Sequence, residues 1–181
     1  MPTLKILDIS TTIGCNLSCK GCNHFSNYFA PTSKLDTDAL IKDIETILPR
    51  LDIDRVSVIG GEPLLNSRCE EIVDACRSHT NSFVYLYTNG LLLLQNEGWI
   101  RRVLEDPKVY LRVSIHLKEV EDIIKKFNHP KVLVTEHHTG QDRWFNSIKK
   151  RDGKVYPYNQ GRIAKSYKVC SCPNTQLFRG K

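Results

Sequence analysis

A chain of 181 residues is about one domain long and can bury a sizeable core. Its 40% hydrophobic and 25% charged residues are those of an ordinary soluble globular protein. The first residues lack the apolar core of a secretory signal, and the longest aliphatic run, residues 91–94, is far too short to span a bilayer, so no membrane association is expected. Seven cysteines, an odd number without a secretory signal, argue against a disulfide framework and point to a reducing cytoplasm. The formal charge of +6 is uneven. Residues 143–181 hold ten Lys and Arg against one acid, Asp152, which leaves residues 1–142 net acidic. That tail also carries Trp144, Phe145, Tyr156, Tyr158, Tyr167 and Phe178. Basic residues interleaved with aromatics suit a polyanion such as a nucleic acid. They suit equally a solvated face around a second metal site.

The chain alternates between two hydrophobic periods. Residues 4–10 alternate and are β-prone, which predicts a first strand running into a cysteine-rich loop. Asp36 or Thr37 caps a helix with the apolar stripe Leu40, Ile41, Ile44, Ile47 and Leu48, stopped at Pro49. Residues 55–59 form a second strand, and Asn66 or Ser67 opens a helix through His79 with Ile72, Val73 and Cys76 inward. Cys69 and Cys76, two turns apart on one face, read as buried packing residues. Strands over 83–87, 109–115 and 131–135 alternate with helices over 99–104 and 120–127. A fifth helix over 143–150 is the least marked, and a sixth strand beyond residue 151 is faint. Such alternation implies βαβ units and a parallel sheet. No internal repeat or low-complexity tract interrupts it.

The chemistry concentrates where the strands end, as it does in parallel α/β architectures. The first strand leads into Cys15-Asn-Leu-Ser-Cys19-Lys-Gly-Cys22. Three thiols at i, i+4 and i+7 cannot all pair with one another. Thiolates are soft ligands for zinc, copper(I) and iron–sulfur clusters. If the centre is a four-iron cubane, three thiolates hold three irons and leave the fourth open, as a catalytic site requires. The alternative is a structural zinc with His24 as fourth ligand. The second strand ends in Gly60-Gly61-Glu62-Pro63, where missing Cβ atoms allow close approach to the backbone and Glu62 can accept from an ammonium. The third ends in Thr88-Asn89-Gly90, the fourth in Ser114-Ile115-His116, the fifth in Glu136-His137-His138. A histidine at a strand end is more often a hydrogen-bonded rim residue than a catalyst.

The cysteine spacing resembles the C-x3-C-x2-C signature of the radical S-adenosylmethionine (radical SAM) enzymes, and Gly60-Gly61-Glu62 resembles that family's second motif. The resemblance covers residues 4 to about 138. It implies an α/β fold, a partial (β/α)6 radical SAM barrel, with a core over 1–150 and an irregular C-terminal extension over 151–181. It implies that Cys15, Cys19 and Cys22 hold a [4Fe-4S] cluster whose open iron is chelated by S-adenosylmethionine. By the same resemblance Gly60, Gly61 and Glu62 hold the cofactor's methionine, Ser114 contacts its ribose and Thr88 faces the substrate. The reduced cluster would donate an electron, break the carbon–sulfur bond and leave a 5′-deoxyadenosyl radical that abstracts hydrogen from the substrate. An electron donor such as flavodoxin or ferredoxin is implied as a partner. The residue before the third cysteine is usually aromatic and covers the adenine. Here it is Gly21, so that contact falls to Gly21 backbone or to Phe25. Lys118 is a candidate for the methionine carboxylate by position only.

Cys170-Ser-Cys172-Pro and the closing Gly180-Lys181 resemble the opening of the SPASM and twitch extensions, which carry auxiliary clusters. Cys170 and Cys172 are then ligands of a second iron–sulfur cluster in a longer chain, or free thiols in a basic tail. The substrate class stays open among a peptide, a nucleotide or RNA base, and a small metabolite. Two other function classes stay open as well: a non-catalytic zinc module that contacts nucleic acid, and an activase that hands its radical to a partner protein.

Overall fold

The computed structural model describes residues 3–19, 22, 24–33, 35–136, 148–151, 154–157 and 175–177. Five strands, β1 (Thr3–Ser10), β2 (Asp52–Ile59), β3 (Phe83–Thr88), β4 (Val109–Ile115) and β5 (Val132–Glu136), lie side by side in sequence order, every neighbouring pair parallel. Four helices connect them: α1 (Thr37–Ile47), α2 (Cys69–His79), α3 (Glu97–Leu104) and α4 (Glu119–Phe127). No helix among the described residues is long and apolar enough to cross a membrane.

The sheet is two-faced, and its strand alternation says why. Leu7, Ile9, Val56, Val58, Val84, Leu86, Leu111 and Val113 point to one face and share a single core with Leu40, Ile44, Ile72, Cys76, Ile100, Val120 and Phe127 from all four helices. At 20–33 cal/mol per Å² of buried apolar surface, this layer is the main source of stability. Asp8, Arg55, Ser57, Tyr85, Tyr87, Tyr110, Arg112 and Ser114 occupy the alternate positions on the other face. Helices packed on one face only, joined to strands in consecutive order, describe a singly wound sheet of barrel type. Cys69 and Cys76 are buried packing residues as expected, and burial pushes both thiols up, Cys76 to about 12.

Helix boundaries follow local hydrogen bonds. Asp36 caps α1 by accepting from the Ala39 N–H at 3.1 Å. The expected start of α2 at residue 66 or 67 moves to Cys69. Asn66 is occupied elsewhere: its amide donates to the Thr11 carbonyl and the Thr37 hydroxyl, and its oxygen accepts from the Arg68 N–H. That turn ties α2 to α1 and to the end of β1 before the helix begins.

For the last forty residues one expectation is corrected and one is placed. The proposed helix over 143–150 is contradicted in its described part, because Ile148–Arg151 is strand β6, paired antiparallel with β7 (Lys154–Pro157). Within Ile148–Arg151 only Ile148 is apolar, so this part of the segment offers a helix little to bury. The intervening Asp152-Gly153 is a strong hairpin signature. The sixth strand of the main sheet, β8 (Thr175–Leu177), joins beside β1, on the edge away from β5. It satisfies an edge that would otherwise present unpaired backbone groups.

Two contacts align the strand ends. The turn after β2 packs directly on the start of the cysteine loop: Gly61 N–H donates to the Thr12 carbonyl and Glu62 N–H to the Gly14 carbonyl. A Cβ on Gly61 would lie 2.1 Å from the Gly14 oxygen, and one on Gly60 2.7 Å from that of Thr12. These glycines are therefore required by chain-to-chain packing, which the sequence did not reveal. The second contact is the Glu62 carboxylate, 1% exposed. Its Oε1 accepts from Leu64 N–H (3.1 Å) and the Thr88 hydroxyl (2.7 Å), and its Oε2 from Asn89 N–H (2.8 Å). Burial pushes this carboxyl above its ordinary value, and the three donors oppose that shift without cancelling it.

This clamp makes a prediction. A carboxamide accepts at only one end, so in Glu62→Gln one buried N–H, of Leu64 or Asn89, must face an NH2 group. Denaturant unfolding should show a loss of about 1–3 kcal/mol, the cost of an unsatisfied buried donor. An unchanged midpoint would mean that the clamp does not hold the strand ends.

Candidate active site at the carboxyl ends of the strands

The loop between β1 and α1 carries the three cysteines. Its base is fixed by the Ile13 and Gly14 N–H groups, which both donate to the Ser33 carbonyl, so the chain leaves and re-enters at one point. Cys22 N–H donates to the Cys19 carbonyl, a turn that brings the second and third cysteines together. Cys15 Sγ accepts from Leu17 N–H at 3.4 Å and from Asn89 Nδ2 at 3.8 Å.

All three thiols line a single cavity of about 310 Å³, at the lower end for small-molecule sites. Gly60, Gly61, Glu62, Thr88, Ser114 and His116 line it too, so four separate strand ends contribute to one wall. Burial pushes the Cys15 and Cys19 thiols up, and their neighbours add to it: the Glu62 carboxylate and the other two cysteines for Cys15, Cys22 for Cys19. Among the described residues, no three His, Cys, Asp or Glu side chains converge tightly enough to hold a single metal ion. A four-iron cubane presents separate irons to separate thiolates, so this soft donor set fits such a cluster without converging on one point.

The remaining expected residues are placed unevenly. Thr88 reaches the cavity wall, but its hydroxyl is engaged, donating to Glu62 and accepting from Gly90 N–H at 3.1 Å. Phe25 is partly buried in a left-handed conformation (φ 56) at the head of a 3-10 turn, and is not among the cavity residues. Lys118 precedes α4 and does not line the cavity either. Gly21, His137, His138, Cys170 and Cys172 lie outside the described residues.

Sequence reasoning missed the floor of the site. Asp8, Arg55, Ser57 and Tyr87 line the cavity from below the rim, and His24 lines it with them, its pKa lowered by burial and partly restored by Asp8. The available signal was the alternation in residues 54–59 and 83–88, where polar and aromatic residues occupy every second place. It also missed the bridge at Asn89. Its Oδ1 accepts from Leu91 N–H at 3.1 Å, which fixes the amide orientation, so Nδ2 faces Asn16 Oδ1 (2.7 Å) and Cys15 Sγ. The buried carboxylate of Glu62 is thereby connected through one residue to a cysteine of the loop.

Comparison with known proteins agrees with this arrangement. The chain is 32% identical over 116 residues to the GTP 3′,8-cyclase of Aquifex aeolicus, a match covering 62% of this chain and 35% of that protein. It is 24% identical over 147 residues to the "Probable dual-specificity RNA methyltransferase RlmN" of Bacteroides fragilis, covering 69% and 42%. The chain thus spans about a third to two-fifths of the curated relatives it matches. Two solved structures share the fold, both with AdoMet bound. BtrN, in complex with AdoMet and 2-DOIA, has a TM-score of 0.59 at 19% identity, covering 76% of this chain and 58% of that one. The anSMEcpe structure has a TM-score of 0.51 at 20% identity, covering 75% and 43%. The family whose cofactors are a [4Fe-4S] cluster and S-adenosylmethionine is matched over residues 9–143, which include all three loop cysteines and the Gly-Gly-Glu turn, and the alternative of a non-catalytic zinc module falls with that match: the chain belongs to the Radical SAM superfamily.

Proposed function

We propose that this chain is the catalytic core of a radical SAM enzyme that abstracts hydrogen from a small substrate held on the concave face of its sheet. The observation that carries the reading is the meeting of Cys15, Cys19 and Cys22 with Gly60, Gly61 and Ser114 on one cavity wall. Bound there, the cluster and cofactor supply reductive carbon–sulfur cleavage and a 5′-deoxyadenosyl radical. The residues do the positioning. Cys15, Cys19 and Cys22 present three thiolates. Among the described residues, no backbone N–H reaches the Gly60 or Gly61 carbonyl, which leaves both to accept from the methionine ammonium. Glu62 has used about three of its four acceptor positions on protein donors, and the fourth serves the same ammonium. Ser114 offers its hydroxyl to the ribose. The adenine contact falls to Gly21 backbone or Phe25. An external flavodoxin or ferredoxin supplies the electron, and the reducing cytoplasm is the compartment that suits these free thiols. Residues 1–150 serve as the core and 151–181 as the extension, with β8 of the extension returning to the core sheet beside β1.

Protein reconstituted without oxygen should be brown, hold about four irons per chain and, once reduced, convert S-adenosylmethionine to methionine and 5′-deoxyadenosine. In Cys19→Ala both colour and cleavage should be lost, since two thiolates do not retain the site. Stoichiometric zinc with no cleavage would refute the reading.

Cys170 and Cys172 are proposed as ligands of an auxiliary cluster completed by cysteines further along a longer chain. Residues two apart share a face where backbone is extended, and two thiolates are half the complement of a protein-held cubane. A chain carrying the downstream cysteines should hold about eight irons, falling to about four when Cys170 and Cys172 are both changed to Ala. An undiminished iron count would show the two to be free thiols.

A further inference from the structure

The face of the sheet opposite the helices carries two arginines unlike four others in the structure. Arg68, Arg77, Arg101 and Arg102 each reach a carboxylate at 2.6–2.9 Å. Arg55 lines the cavity floor and, among the described residues, has no carboxylate within ion-pair distance. Its Nε is buried and donates to nothing. An unpaired buried donor on a permanently charged group is costly to leave unmade, and it marks a site that lacks its partner. What holds the side chain in place is aromatic. Its guanidinium lies 5.4 Å from the centroid of Tyr85, itself stacked on Tyr110 at 5.3 Å and 18°. Arg112 repeats the arrangement one step along: its guanidinium lies 5.7 Å from the Tyr87 centroid, with Nε donating to the Thr135 hydroxyl at 3.1 Å. Tyr85 and Tyr87 are consecutive inward residues of β3, about 7 Å apart along the strand. Two guanidinium groups therefore lie on the same side of the sheet, with their aromatic supports pre-set and, among the described residues, without an ion-paired carboxylate.

We infer that Arg55 is the anion-binding end of the substrate site, with Arg112 further along the same face, and that the substrate is a small phosphorylated molecule. This rests on the reading that the cavity holds the reaction, and it names the substrate class for that site. Planar guanidinium groups bind phosphate oxygens in bidentate fashion, which lysine does not reproduce. The cavity of about 310 Å³ is shared with the cluster and cofactor, so what remains beside Arg55 takes a small molecule and not a polymer strand. Cysteines and Gly-Gly-Glu turn stand at the strand ends, whereas Arg55 lies four residues before the end of β2. A phosphate on the floor would thus set the distance between the substrate's anionic end and the reacting end above it. Asp8 and His24 also line this floor, so one acid tempers the positive charge.

The test uses the anaerobically reconstituted protein and inorganic pyrophosphate as the probe, titrated calorimetrically. Wild type should bind it, more weakly as salt rises. Arg55→Gln should weaken binding about 10–100-fold, the range for one charge-assisted hydrogen-bonded partner, with Arg55→Lys in between. Arg55→Lys keeps the test open if Arg55→Gln fails to fold, and Arg112→Gln, outside the cavity lining, should weaken binding less than either. Equal affinity in these variants, or no binding by wild type, overturns the assignment. Malonate binding as tightly as pyrophosphate overturns the choice of phosphate, and an RNA oligomer binding where pyrophosphate does not overturns the small-molecule class. Absence of cluster and cleavage in wild type would instead defeat the radical reading, independently of the pyrophosphate result.

Discussion

The arrangement at the strand ends depends on one buried carboxylate. Glu62 sits in a place that disfavours its charge and keeps its acceptors filled by three donors, two of them from the turn after β3. Charged acceptors make the stronger hydrogen bonds, more so away from water. The consequence is geometric. The turn after β2 is fastened to the cysteine loop on one side through Gly61 and Glu62 N–H groups, and to the turn after β3 on the other through the Glu62 side chain. Three successive strand ends are locked in register, and Asn89 carries the connection back to Cys15.

The division of the sheet into two faces explains why chemistry collects where it does. Helices cover one face completely and take nearly all the aliphatic burial. The other face is left for polar and aromatic residues that such a core would not tolerate unpaired. In a parallel sheet every strand ends at the same edge, so loops far apart in sequence open onto this face together. The tyrosines of β3 and β4 give that face rigidity at low entropy cost, and they keep the guanidinium groups extended along it.

Glycine plays a different part here from the one its motif suggests. Gly60 and Gly61 look like places for a ligand to approach, yet their missing Cβ atoms make room for Thr12 and Gly14. Among the described residues, no backbone N–H reaches the carbonyls of the same residues. One short motif therefore serves packing with one side of its backbone and offers acceptors with the other.

The amino-acid sequence by itself determined the elements and their chemistry. Apolar periods of two and of about 3.6 marked all five central strands and four helices, because burial of one face enforces those periods locally. The thiol spacing determined the kind of centre the loop suits, since ligand softness and loop length are local properties. Tertiary structure decided what depends on residues distant along the chain. Glu62 looks like a free ligand in its tetrapeptide, and only the approach of Thr88 and Asn89 shows that its carboxylate is already engaged. Arg55 and Ser57 look like polar residues in a strand, and only the one-sided placement of the helices turns them into a cavity floor. The position of β8 beside β1 and the hairpin of β6 and β7 escaped for the same reason: a short strand is stabilised by its partner's backbone groups, and those leave no period in its own sequence.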